Sequence, residues 1–191
     1  MSAVAKGFAN PVLDAQAVFR AALSAMAEPG RVFPCASLPD APLHPVIAAV
    51  ALALIDYETP YAFIGGDAEA FLSFHTGAPR VEPQAAAFVF APANGFDAAL
   101  WRRLPHGSPE YPDRSATVVL EAGRFGEGFA VELSGPGLCE PRRFAASALD
   151  AAFWAIAAEN AGLYPLGVDF IFCSVGEIAA LPRSTRLREL G

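Results

Sequence analysis

The run Tyr164-Pro165-Leu166-Gly167-Val168-Asp169-Phe170-Ile171-Phe172 decides the fold. Proline and glycine deliver the chain through a turn into a short run of Val and aromatic residues, the pattern of a buried strand that belongs near the middle of a sheet. Asp169 is the one charge inside this apolar run, so its carboxylate requires a partner. Downstream, Pro182-Arg183-Ser184-Thr185-Arg186 presents two guanidinium groups and two hydroxyls within four residues. Such a cluster suits carboxylates or phosphates, or it forms a solvated tail.

Working outward, Pro11–Ala27 has helical spacing, with Val12, Ala15, Phe19, Ala22, Leu23 and Met26 on one expected core stripe, and Glu28-Pro29-Gly30 stops it. Gln16 and Arg20 lie on its flank, available to a neighbour, to a ligand or to solvent. Residues 31–42 read as an ordered loop. A second helix is expected from Leu43 to Ile55, apolar on nearly all sides. Asp56 and Glu58, before Pro60, supply either a carboxylate pair for acid/base or cation chemistry or the caps of a solvated turn.

Strands are expected at Tyr61–Ile64, Phe71–His75, Ala85–Ala91 and Ser115–Glu121, with a short helix at Asn94–Leu104. Phe129–Leu133 is expected to pair antiparallel with Ser115–Glu121 across the Gly123–Gly128 turn. Ser134-Gly135-Pro136-Gly137 then forms either an anion-binding concavity of backbone amides or a tight turn. It is neither a Walker loop, having no lysine, nor a nucleophile elbow, because Glu132 stands where that motif has glycine. The last long helix is expected from Phe144 to Ala161. Helices alternating with buried strands give a three-layer α/β/α-type single domain, spanning residues 1–191, with a central mixed β-sheet.

Composition narrows the function. The 191 residues fit one domain, which buries about 70% of its unfolded surface. A net charge of -7 argues against a nucleic-acid partner, which requires clustered cations. Lys6 is the single lysine and sits near the N-terminus, poorly placed for a Schiff base or a phosphate loop. Cys35, Cys139 and Cys173 show no CxxC spacing, and His44, His75 and His106 are scattered, so no metal site is expected. No signal peptide is indicated, and the longest apolar run, Val46–Ile55, is about half a membrane span. A cytoplasmic location is expected. With 54% hydrophobic and only 17% charged residues, below the usual 25% or so, the surface is expected to be covered in part by partners.

Six blocks in order resemble the PhnH family, the H subunit of the carbon-phosphorus lyase system: GFANPVLDAQAVFRAALSAMAEPG at 7–30, LIDYETP at 54–60, GSPEYPDRSATVVL at 107–120, LSGPGL at 133–138, YPLGVDFIF at 164–172 and LPRSTRL at 181–187. The chain departs from the family pattern at Asn10, Ala15, Leu23 and Ser184, and in lacking an aromatic residue near Thr59. The resemblance implies a cytoplasmic subunit, a homodimer when isolated, that joins the G, I and J subunits. With the G, I and L subunits it implies a part in transferring ribose triphosphate from ATP to methylphosphonate, releasing adenine. It also implies a fold similar to the large domain of pyridoxal-phosphate (PLP) transferases without PLP or any other cofactor. Catalytic residues remain unassigned. The candidates for a phosphonate or nucleotide ligand are Ser134, Gly135, Gly137, Arg183, Ser184, Thr185 and Arg186, with Gln16, Arg20, Asp56, Glu58 and Asp169 as further polar candidates.

Overall fold

The computed structural model describes residues 5–66 and 68–190. Helix α1 (Pro11–Ala27) opens on Asn10, whose side chain accepts a hydrogen bond from Leu13 N–H while Asp14 accepts from the Asn10 amide at 2.8 Å. Asparagine caps a helix about as well as aspartate, so the departure at Asn10 costs the helix little. In order, the chain then forms β1 (Phe33–Pro34), α2 (Pro45–Leu54), β2 (Tyr61–Phe63), α3 (Glu69–Thr76), β3 (Phe88–Pro92), α4 (Ala98–Arg103) and β4 (Thr117–Glu121). After these come β5 (Phe125–Ser134), β6 (Arg142–Ala146), α5 (Ala151–Gly162), β7 (Asp169–Ser174), β8 (Glu177–Leu181) and β9 (Arg186–Glu189).

The main sheet runs β1-β8-β7-β4-β3-β2, with β2, β3, β4 and β7 parallel and β8 and β1 antiparallel to their neighbours. It is therefore mixed, and β7 lies inside it as its sequence requires. Alternation along the strands feeds two cores. Val89, Val118, Leu120, Phe170 and Phe172 join a cluster with α4, α5 and the inner residues of a second sheet, β6-β5-β9. Phe90, Val119, Ile171 and Cys173 face the other way, onto α1, α2 and α3. Burial on both faces explains why these strands read as continuous apolar runs.

Three expectations give way to packing. Phe71–His75 is helical, not a strand: adjacent Phe71 and Leu72 are buried while Phe74 is 70% exposed, and Gly77 ends the helix at φ 67°. Ser115–Glu121 and Phe129–Leu133 do not pair. The first lies between β3 and β7 in the main sheet, whereas the second belongs to β5, between β6 and β9. A strand apolar on both sides needs neighbours above and below as well as beside it, which a surface hairpin does not supply. Third, the helix expected at Phe144–Ala161 begins only at Ala151, because Asp150 caps it by accepting from Phe153 N–H at 2.9 Å. Phe144 still enters the core, but from β6, stacked on Phe172 with centroids 5.6 Å apart. Similarly, Asn94–Leu104 divides into a 3₁₀ turn and α4, the latter capped by Asp97. Within the loop at 31–42, Phe33–Pro34 adds a short edge strand to β8.

Burial pushes the Cys35 thiol up to about 11 and holds that of Cys173 well above its ordinary value, while Cys139 is exposed. Only a thiolate attacks electrophiles. Titration of the native protein with a thiol reagent at pH 8 is expected to modify one cysteine per chain, Cys139, and unfolding in guanidinium to release the other two. Fast modification of Cys173 in the native state is incompatible with this core.

Candidate functional site

The structure brings part of the predicted cluster together. Ser134 pairs with Arg186 in the β5–β9 ladder, so the turn at Gly135–Gly137 lies against the segment from Pro182 to Thr185. Gly135 has φ 128°, and a Cβ there would sit 3.1 Å from the Ser184 carbonyl. At Gly137, φ 81°, a Cβ would collide with the Ala27 carbonyl at the end of α1. Close backbone approach therefore accounts for both glycines. Arg142 ties the same corner by donating to the carbonyls of Glu28 and Pro29 at 3.2 and 2.8 Å.

Asp169 has its partner. It accepts from the backbone amide of Arg183 at 2.8 Å and from the Arg183 guanidinium through Nε and Nη2, and Nη1 of the same side chain donates to the Pro112 carbonyl at 2.7 Å. The Asp169 and Arg183 side chains are 14% and 17% exposed, so this two-pronged pair is largely dry. It fastens the start of β7 to the exit of β8 and both to the loop before β4. The guanidinium is consequently committed to the fold. Thr185 is 1% exposed and its hydroxyl is buried without a partner. Of the four-residue cluster, Ser184 and Arg186 keep side-chain donors that are both unpartnered among the described residues and reachable from solvent. Around the pair lies a 410 Å³ cleft whose walls include Met26, Asp113, Tyr164 and Ser184.

The remaining candidates lie elsewhere. Asp56 accepts from the Glu58 amide and from the Thr59 hydroxyl at 3.0 and 2.8 Å, closing the turn between α2 and β2, and Glu58 is exposed. Neither lines the cleft. Gln16 and Arg20 project from the outer face of α1. Among the described residues no group of three His, Cys, Asp or Glu side chains could hold a metal ion.

Two features escape sequence reading. Asn160, 2% exposed in α5, donates to the Val168 carbonyl and accepts from the Val168 amide, both at 2.8 Å, and also accepts from Trp101 Nε1. A Cβ at Gly167 would come within 2.7 Å of its Oδ1, so glycine is required where the chain enters β7. The signal for Asn160 was its place in an otherwise alanine-rich helix, one residue type that a buried helix face does not tolerate unpaired.

The second is the outer face of α1. Val12, Gln16, Phe19, Leu23 and Met26 recur at alternating spacings of four and three, the seam of a helix that pairs with another helix. Val12 is 78%, Phe19 49% and Leu23 58% exposed. The expected core stripe is thus split: Ala22 turns inward with Val18 and Ala25, which let α1 lie close to α2 and β8, Met26 packs partly against the same core, and Val12, Phe19 and Leu23 stay outside. Beside them an apolar groove of 210 Å³ runs between Phe19, Leu23, Met26, Leu54 and Phe88.

Fold and site together define a mixed-sheet α/β protein with a braced polar cleft on one edge and an uncovered helix seam beside it. The chain belongs to the family of bacterial phosphonate metabolism proteins, PhnH, whose model matches residues 6–188. It is 35% identical to the alpha-D-ribose 1-methylphosphonate 5-triphosphate synthase subunit PhnH of Rhizobium meliloti (strain 1021), across 94% of this chain and 93% of the relative. It is 34% identical to the putative C-P lyase subunit protein HtxG of Stutzerimonas stutzeri, across 92% and 87%.

Removing one member of a largely buried ion pair costs about 3–5 kcal/mol, because the other charge is left uncompensated. Asp169→Ala and Arg183→Ala are each expected to lower stability by that order in urea unfolding, whereas Arg186→Ala, on an exposed side chain, is expected to change it by less than about 0.5 kcal/mol. Equal effects at positions 183 and 186 would contradict the bracing role.

Proposed function

We propose that this chain is a non-autonomous subunit of the assembly that makes ribose 1-methylphosphonate 5-triphosphate in phosphonate catabolism, by transfer of ribose triphosphate from ATP to methylphosphonate with release of adenine. Its partners in this reading are the G, I and J subunits of the carbon-phosphorus lyase complex, with the L subunit acting at the same step, and the isolated chain forms a homodimer. Its place is the cytoplasm. The observation that carries the reading is the uncovered α1 seam, in a chain whose relatives are named as subunits. No helix among the described residues is long and apolar enough to cross a membrane. Covering a side chain such as Leu or Phe stabilises by roughly 1.5–3 kcal/mol. Three exposed seam residues therefore represent a substantial drive to associate.

Within this reading the layered sheet corresponds to the large domain of PLP transferases without the cofactor, for which Lys6, the only lysine in the sequence, is poorly placed as an anchor. A phosphate-bearing ligand at the cleft would be met by Ser184 on its wall, with Arg186 two residues further along and outside the lining. A second reading, a scaffold without ligands, is favoured by the commitment of Arg183 to Asp169 and of the Gly135–Gly137 turn to backbone packing.

Coexpression with the G, I, J and L subunits, size-exclusion chromatography and an adenine-release assay test the proposal. The wild-type chain is expected to coelute with its partners and to be required for adenine release. Phe19→Glu and Leu23→Glu are expected to remove it from the complex while shifting its own stability by less than about 0.5 kcal/mol, as surface substitutions do. Release of adenine at full rate without this chain, or coelution of both variants, would refute it.

A further inference from the structure

Strand β9 ends the three-stranded sheet β6-β5-β9, and β5 is its only paired neighbour. The Leu190 amide donates to the Ala130 carbonyl, so in this antiparallel ladder the alternate pairs, Glu132 with Arg188 and Ser134 with Arg186, are the hydrogen-bonded ones. The amides and carbonyls of Leu187 and Glu189 therefore point away from β5. Among the described residues no hydrogen bond reaches them. An open row of this kind is a template for a further strand.

The outer face of the same sheet is basic. Val131, Leu133, Phe144 and Leu187 turn toward the core, so the alternate residues Arg143, Glu132, Ser134, Arg186 and Arg188 share the opposite face. Arg188 is paired with Glu132 at 2.7 Å, whereas Arg143 and Arg186 are exposed and have no ion-pair or hydrogen-bond partner among the described residues. Three guanidiniums thus stand against one carboxylate, in a chain whose net charge is -7. Arg186 and Arg188 flank Leu187, so two of these cations and the open backbone groups belong to one strand.

Charge decides the occupant. A second copy pairing antiparallel about a two-fold axis at Leu187 or Arg188 would set Arg opposite Arg, and like charges directly opposite are destabilising. A nucleic acid demands far more cations than this acidic chain supplies. A small anion needs a concave site, and the 530 Å³ cavity beside Arg143 is lined also by Glu28 and Glu140, which repel it. Carboxylates at every second position of an extended chain, by contrast, lie opposite Arg186 and Arg188 as cross-strand pairs, and guanidinium forks suit them. We propose that the free edge of β9 takes up, as an added strand, an acidic extended segment of a partner polypeptide, with carboxylates at alternate positions facing Arg186 and Arg188 and an apolar residue between them beside Leu187. That the partner belongs to the phosphonate assembly rests on the subunit reading above; the chemistry of the edge does not.

Fluorescence polarisation of the isolated chain at pH 7.5, with a labelled peptide of alternating glutamate and valine as probe, tests this. The peptide is expected to bind. The same peptide N-methylated on its backbone amides, which keeps the charges and removes strand pairing, is expected to bind at least about tenfold more weakly, as is a peptide of alternating lysine and valine. Arg186→Glu and Arg188→Glu are each expected to weaken binding of the acidic peptide by about tenfold or more, the loss of one charge-assisted hydrogen bond. Together they are expected to reverse the preference in favour of the lysine peptide, a gain that a misfolded variant does not show. Arg102→Glu, on an exposed side chain of α4, leaves binding unchanged. Absence of binding, equal binding of the N-methylated peptide, or displacement by single-stranded DNA or inorganic triphosphate overturns the inference. Peptide binding by a chain that does not join the complex would sink the subunit reading alone, and assembly by a chain that binds no acidic peptide would sink this inference alone.

Discussion

A carboxylate at the head of the central strand sets the terms for the rest of the molecule. Asp169 begins β7, between β4 and β8, where water is largely excluded, and its charge is tolerable only because Arg183 returns from the end of β8 to meet it with both the guanidinium and the backbone amide. Arg183 also reaches the Pro112 carbonyl, so three segments distant in sequence converge on one ion pair. Such a pair adds modestly to stability by itself, since desolvation offsets much of the attraction, but its geometry admits only one register of β8 on β7. Asn160 performs the neutral counterpart one residue upstream, holding Val168 by both amide and carbonyl.

Functional capacity lies at surfaces left over from this arrangement. The two faces of the sheet are filled, one by α1, α2 and α3, the other by α4, α5 and the three-stranded sheet. What remains is the outer side of α1, which the core did not need because Val18, Ala22 and Ala25 already satisfy the close packing against α2. An amphipathic helix with two apolar stripes and only one core is a helix built for two neighbours.

The strand at Asp169–Phe172, the helix at Pro11–Ala27, the buried α2 and the need for a partner at Asp169 were legible because each rests on local chemistry: period, caps and an isolated charge. What failed was nonlocal. Ser115–Glu121 and Phe129–Leu133 are adjacent in sequence with a glycine-rich turn between them, the pattern of a hairpin, yet tertiary packing sends them to different sheets. Phe144 kept its core position while changing from helix to strand, since hydrophobicity specifies burial more strongly than backbone state in a five-residue segment. For the site, the residue types around Arg183 announced a donor cluster, but the sequence carried no sign that Asp169 and Pro112 already occupy those donors. The α1 stripe was likewise visible as a period, without any indication of which residues face in.

The order of the strands has a consequence for how this chain is made. Helix α1 packs on β8, and β1 pairs with β8, so the earliest elements wait for some of the latest before they find their places. Contacts of such long sequence separation form slowly. Throughout that interval α1 is an apolar helix without the sheet it packs on, and transiently exposed apolar surface of this kind favours aggregation. Recovery of folded chain accordingly depends on how soon β8 arrives as well as on the stability of the finished fold.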